Sequence, residues 1–222
     1  KLVEMTEEKG RSRLMTYGYS QRELAKSSTS LLEDPKAAAV LLSKVIKQAD
    51  VKTNRVVSAL PSSKVFSAII SVPRVKDEKE LKPLIEAQAR KLVPLPFEEM
   101  ILDSKLIDEL EVKEPEKKEK KKDKKEESKK PKGNVRVLVT GAAKTLVQKY
   151  VEMFRLAKLE LVALETESFA LIRTLIGKDK SPILIIDIGT IRTNLIVVEK
   201  GIPFLTRSVN IGGQMVTKQI AQ

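Results

Sequence analysis

Cysteine, histidine and tryptophan are absent from this 222-residue chain, and aromatic residues make up only 4% of it. Without cysteine there are no disulfide staples and no thiolate ligands, which fits a reducing compartment. Without histidine the commonest general base and metal ligand is missing, which argues against Ser-His-Asp triads and zinc sites. So few aromatics leave few stacking platforms for single-stranded nucleic acid. No apolar run approaches the roughly 20 residues of a membrane-spanning helix, so a soluble chain is expected. At this length the chain forms one domain or two small ones, with enough residues for a core.

What is abundant is charge. Charged residues are 32% and hydrophobic residues 41%, with a net charge of +12 and a pI near 9.7. That excess invites a nucleic-acid reading, but it is concentrated. Residues 113–132 hold eleven lysines against six acidic residues, with two prolines and no apolar face to bury. This tract is expected as a solvated, disordered or loosely helical loop. The alternative is a patch that leans on anionic lipid or nucleic acid.

The rest of the chain alternates between strand and helix patterns. Residues 1–5 and 13–19 read as strands with Gly10 near the turn between them. Asp34-Pro35 is a helix start, a cap followed by proline at the first helical position. Ala38, Leu41, Leu42, Val45, Ile46 and Ala49 then keep helical spacing. Runs at 56–60 and 65–72 are β-rich. Asp77 caps a second helix, in which Pro83 is expected to cause a kink or a delayed start. Strand at 100–107, strand at 135–140, helix at 144–157, strand at 159–164 and helix at 168–176 follow, implying an α/β sheet with helices packed on it. The run Val137-Leu138-Val139-Thr140-Gly141-Ala142-Ala143-Lys144 resembles the opening of a short-chain dehydrogenase. The further glycines that a dinucleotide pyrophosphate needs are absent, since Thr145 and Val147 stand at those places.

The stretch that organises the chain is 182–213, PILIIDIGTIRTNLIVVEKGIPFLTRSVNIGG. A buried-type strand at 183–186 ends on Asp187, a β-branched run covers 195–198, and Glu199-Lys200-Gly201 turns into a third run at 203–209. A strand that delivers a carboxylate into a tight turn suits phosphate chemistry. The Asp can hold a hydrated divalent cation while turn N–H groups and a Thr hydroxyl face phosphate oxygens. Glycine at 189 lets backbone approach a ligand that a Cβ would hinder. The plain alternative is a β-meander with Asp187 in a solvated turn.

The order strand, D-I-G-T-x-x-T, strand, strand, G-G, helix is more specific, and it looks like the second phosphate loop of the actin-like ATPase superfamily. Within it, I-D-I-G-T-x-x-T-N-L with F-L-T-R-S-V-N-I-G-G-Q-x-x-T resembles the PilM family of type IV pilus assembly proteins. So does S-V-P-R-x-x-D-E-K-E-L…A-x-K-L-V-P-L-P-F-E-E-M-x-L-D at 71–103. The resemblance implies a partial actin-like ATPase fold of the α/β class with an FtsA-like inserted subdomain, called 1C. On that pattern, residues 1–61 begin lobe 1A and 62–142 are the insertion, with the Lys/Glu-rich loop at 113–133. Residues 143–177 then return to lobe 1A, and 178–222 begin lobe 2A. The family's first phosphate loop would lie just upstream of Lys1 and its adenosine-binding segment beyond Gln222, so the chain is expected to be a fragment.

What the resemblance implies about function follows residue by residue. ATP and Mg are the expected cofactors, bound by Asp187, Gly189, Thr190, Ile191, Arg192, Thr193, Gly212 and Gly213, with Asp187 holding Mg through water. Glu165, at a strand-to-helix junction in L-E-T-E-S-F-A-L, would orient the attacking water; as a sequence position it reads equally as a surface Glu near a helix N-terminus. Nucleotide is expected as a conformational ligand, with hydrolysis weak or absent. The implied partner is the cytoplasmic N-terminal peptide of a PilN-like inner-membrane protein, alongside other pilus platform proteins, assembly ATPases and a possible homo-oligomer, with no nucleic acid. Such a chain would be cytoplasmic and peripheral to the inner membrane through its partners. The competing readings are an FtsA-like division or type II secretion protein, and a nucleic-acid binder acting through the Lys-rich tract.

Overall fold

The structure is a computed structural model that describes residues 1–21, 31–75, 77–107 and 133–222. The Lys/Glu-rich tract therefore lies outside the described residues, except for its last position, Gly133. The described chain is mixed α/β and divides into two compact units, Lys1–Leu60 with Lys144–Thr166, and Pro61–Ala143 with Glu167–Gln222.

In the first unit, β1 (Leu2–Glu8) and β2 (Arg11–Gly18) form an antiparallel hairpin. Its turn places Lys9 and Gly10 both at positive φ, 52° and 74°, the geometry that matches the right-handed twist of the strands. Helix α1 (Pro35–Gln48) begins where expected, because the Asp34 carboxylate accepts from the amides of Lys36 and Ala37. Its buried face carries Ala38, Ala39 and Val45. Gly18 is needed at the end of β2, since a Cβ there would meet the Val45 side chain at 2.8 Å. The Glu4 carboxylate accepts from the amides of Lys52 and Thr53, which ties β1 to the connection after α1. Strand β3 (Arg55–Leu60) pairs in parallel with β7 (Glu160–Thr166), and the crossover helix α3 (Lys144–Leu156) buries Tyr150 and Phe154. All of 61–143 is threaded into this one β–α–β crossover.

In the second unit, β4 (Val65–Pro73), β5 (Met100–Leu106) and β6 (Asn134–Ala143) form an antiparallel sheet with β6 in the centre. Helix α2 (Glu78–Ala89) covers it, and Ile70, Val72, Ile85, Ala89, Val135, Val137 and Val139 form the core. Pro83 does not delay this helix: the Asp77 carboxylate caps the Lys79 amide and fixes the start at Glu78. The dehydrogenase-like Gly141 is buried inside β6, and a Cβ there would meet the Leu102 and Met100 side chains of β5. Cross-strand packing explains that glycine, and β6 runs straight into α3 with no phosphate loop between them.

The remaining sheet is antiparallel, in the order β10 (Ile202–Val209), β9 (Thr193–Glu199), β8 (Ile183–Ile188). One face packs on α4 (Glu167–Leu175) through Ile172, Ile185, Ile196 and Val198. Helix α5 (Gly213–Ile220) follows β10. Among the described residues no helix is long and apolar enough to cross a membrane.

Candidate functional site

Register decides what Asp187 can do. Strand β8 continues to Ile188, so Asp187 lies inside the ladder opposite Asn194, not after the strand's end. Side chains alternate across a sheet, which puts Asp187 on the same face as Ile183 and Ile185. Along that face the rungs run Ile183–Val198–Pro203, Ile185–Ile196–Thr206 and Asp187–Asn194–Ser208. The face against α4 is apolar at the far end and polar at the loop end.

The last rung is a hydrogen-bonded row. Asn194 Nδ2 donates to Asp187 Oδ2 at 2.9 Å, and Ser208 Oγ donates to Asn194 Oδ1 at 2.5 Å. The order is forced chemically: an ionised carboxylate only accepts, so the amide must turn its NH2 to Asp187 and its oxygen to the hydroxyl. Asn194 is buried, while Asp187 and Ser208 are half-buried. Among the described residues Asp187 Oδ1 has no hydrogen-bond partner.

Between Ile188 and Thr193 the loop Gly189–Arg192 is closed by the Gly189 amide donating to the Arg192 carbonyl at 2.8 Å. Gly189 is not at positive φ; a Cβ there would sit 3.0 Å from that same carbonyl, so the glycine serves the closure of the loop itself. The loop is also clasped from outside. The amides of Gly213 and Gln214, at the start of α5, donate to the carbonyls of Gly189 and Thr190 at 2.9 and 3.0 Å. Thr193 Oγ1 donates to the Ile211 carbonyl at 2.7 Å. Gly212 is buried, and a Cβ on it would meet the Thr190 carbonyl and the Ile191 nitrogen at 2.6 Å. Arg192 reaches Asn210 Oδ1 at 3.2 Å and Ser63 Oγ at 2.9 Å.

This clasp leaves the amides of Thr190 and Ile191 without a partner among the described residues, next to the Thr190 hydroxyl on an exposed turn. Backbone donors gathered in such a turn favour an anion. The available cation ligands are hard oxygens, and no group of three or more acidic side chains gathers among the described residues. A single carboxylate fits a cation that keeps most of its waters and completes its shell with phosphate oxygens, as Mg2+ does.

Glu165 is in the first unit, half-buried on β7 opposite Ala59 of β3. The next acidic residue, Glu167, opens α4 in the second unit, and its carboxylate accepts from the Ser62 amide at 2.8 Å. Ser62 Oγ lies 3.3 Å from Ser168 Oγ, which lies 3.4 Å from Thr206 Oγ1. This polar seam ties residues 62 and 63, the loop's Arg192 and strand β10 together. Sequence reasoning missed Asn194, Ser208, Asn210 and Glu167. A phase bulge at Phe204 hides Ser208: counting back from the Lys200-Gly201 turn places Arg207 opposite Asn194, and the bulge between Pro203 and Leu205 replaces it with Ser208.

A family model described as type IV pilus assembly protein PilM matches residues 1–222. Among solved structures, a PilM–PilN type IV pilus biogenesis complex is similar, with a TM-score of 0.74, 24% identity, and coverage of 99% of this chain and 60% of that one. The cytoplasmic domain of EpsL, an inner-membrane component of the Vibrio cholerae type II secretion system, gives a TM-score of 0.48 at 11% identity, covering 83% of this chain and 60% of that one. A Bacteroides thetaiotaomicron protein with an actin-like ATPase fold and unknown function gives 0.40 at 15% identity, covering 95% and 68%. The chain thus spans 60% of the PilM chain it matches. Its mixed α/β architecture shares the fold of that complex's matched chain, and it belongs to the PilM family of type IV pilus assembly proteins.

Proposed function

We propose that this chain is the nucleotide-binding and partner-docking part of a type IV pilus assembly protein, held on the cytoplasmic face of the inner membrane by its partners. The observation that carries the nucleotide half is the clasped β8–β9 loop. Two of its carbonyls, those of Gly189 and Thr190, are engaged from α5, while the Thr190 and Ile191 amides and one Asp187 carboxylate oxygen have no partner among the described residues. Thr190 and Ile191 would receive phosphate oxygens, Asp187 a water of a bound Mg2+, and Gly189, Thr193, Gly212 and Gly213 would hold the loop in shape. Arg192 would contribute positive charge from a side chain already anchored on Asn210 and Ser63. When bound, Mg2+ would neutralise phosphate charge. Glu165 is kept as the candidate for orienting water, with turnover weak or absent.

The docking half rests on family membership and on the inserted segment, which we assign to residues 62–142 between the lobe 1A segments 1–61 and 143–177, with 178–222 opening lobe 2A. In its sheet β4 and β5 are the edge strands among the described residues. Ile101 and Leu106 on β5, with Leu92 and Leu95 before it, are exposed apolar side chains. An extended peptide can pair its backbone with such an edge and anchor apolar side chains beside it. The similar solved structure is of a PilM with PilN, and a PilN-like N-terminal peptide is the partner we assign. In full-length protein, a labelled peptide of that kind should bind saturably, survive deletion of 113–132, and be lost when the rest of the insertion is removed. Absence of binding to folded, full-length protein contradicts the docking role.

A further inference from the structure

We infer that Asn194 and Ser208 are positioning residues for the cation at Asp187, an assignment that rests on the nucleotide reading above. Their row crosses all three strands in register, Asp187 opposite Asn194 and Asn194 opposite Ser208. Asn194 is buried, so its amide cannot exchange its bonds for water without cost. The acceptor-only carboxylate of Asp187 sets which way that amide faces, and the Ser208 hydroxyl donates to Oδ1 and holds it there from the other side. With Oδ2 occupied in this way, Asp187 keeps one oxygen, Oδ1, for a cation-bound water. The row therefore does two things. It stops the carboxylate from rotating, and it limits Asp187 to a one-oxygen contact, which suits an octahedral, water-rich Mg2+ and disfavours the bidentate grip that larger cations accept. Partners behind a metal-holding carboxylate commonly change metal affinity by ten- to a hundredfold when removed.

The bulge at Phe204 is part of the device. Without it Arg207 would stand opposite Asn194, with a long cationic side chain in place of the compact hydroxyl that meets Oδ1. The one-residue slip brings a hydroxyl to that rung instead.

The test measures ATP affinity of the full-length protein by calorimetry, with Mg2+ and again in EDTA, so that the readout is the gain that Mg2+ provides. Ser208→Ala should cut that gain about tenfold and leave affinity in EDTA unchanged, while Ser208→Thr, which keeps the hydroxyl, should retain it. Asn194→Leu should behave like Ser208→Ala, and neither change should have a further effect in an Asp187→Ala background. Should Asn194→Leu fail to fold, the Ser208 pair still decides. A folded Ser208→Ala protein with an undiminished Mg2+ gain overturns the proposal, as does an equal loss with and without Mg2+. If Asp187→Ala itself leaves the gain intact, the metal reading of Asp187 fails, a result separable from failure of the positioning row alone.

Discussion

The turn at Lys200-Gly201 and the loop at Gly189–Arg192 close the two ends of the same strand, β9, and they hold their shapes by different means. The first is two residues long, both at positive φ, 53° and 75°, with Glu199 opposite Ile202. Local backbone preference is enough to form it. The second is four residues long, with neither Gly189 nor any other loop residue at positive φ, and its form is imposed by α5, by the Ile211 carbonyl, and by Asn210 and Ser63. A turn that only reverses the chain can be written in two residues. The loop proposed to present amides to a ligand has two of its carbonyls and the Arg192 side chain held from elsewhere.

Substitutions can break this comparison. The largest effect is expected at Gly212, where an added Cβ meets backbone atoms that cannot rotate away. Gly212→Ala should lower stability by about 1–3 kcal/mol and weaken Mg-ATP binding more than tenfold, read by denaturant unfolding and calorimetry. Gly201→Ala strains a left-handed position and should cost about 1 kcal/mol, yet leave ATP affinity as it was. If both substitutions disturb ATP binding equally, the distinction between the two turns is lost.

Arg192→Ala removes two exposed hydrogen bonds and should cost about 0.5–1 kcal/mol in nucleotide-free protein, without the cooperative damage of Gly212→Ala. A null effect on stability together with lost ATP affinity would recast Arg192 as a phosphate ligand alone. The smallest effect is expected from replacing 113–132 by a short Gly/Ser link. That tract has no apolar side chain to bury, so the melting temperature should move by a few degrees at most.

Much of the local structure could be read from the residues. Asp34-Pro35 and Asp77 announce their helices through caps that the side chains do make, and Lys200-Gly201 announces its hairpin. The family resemblance was also legible, because D-I-G-T-x-x-T and its flanking strands keep their spacing in sequence. Long-range register was not. The central place of β6 between β4 and β5 joins segments separated by more than sixty residues at one edge, and no periodicity encodes that choice. The row at Asp187 depends on a bulge that shifts β10 by one residue, which carries no composition signal. At Gly189 the sequence suggests close approach of a ligand, and the structure adds that a Cβ there would also crowd the loop's own Arg192 carbonyl. Glu165 and Glu167 differ by two positions in sequence, and only the structure shows that Glu167 is the one that holds the Ser62 amide.

The central claim is that the β8–β9 loop is a phosphate site organised by Asp187, and calorimetric titration of full-length Asp187→Ala protein with Mg-ATP tests it most directly. The account predicts a loss of at least tenfold, about 1.4 kcal/mol, with folding retained because Asp187 is half-buried at the polar end of its sheet face. Affinity equal to that of the unsubstituted protein would contradict it.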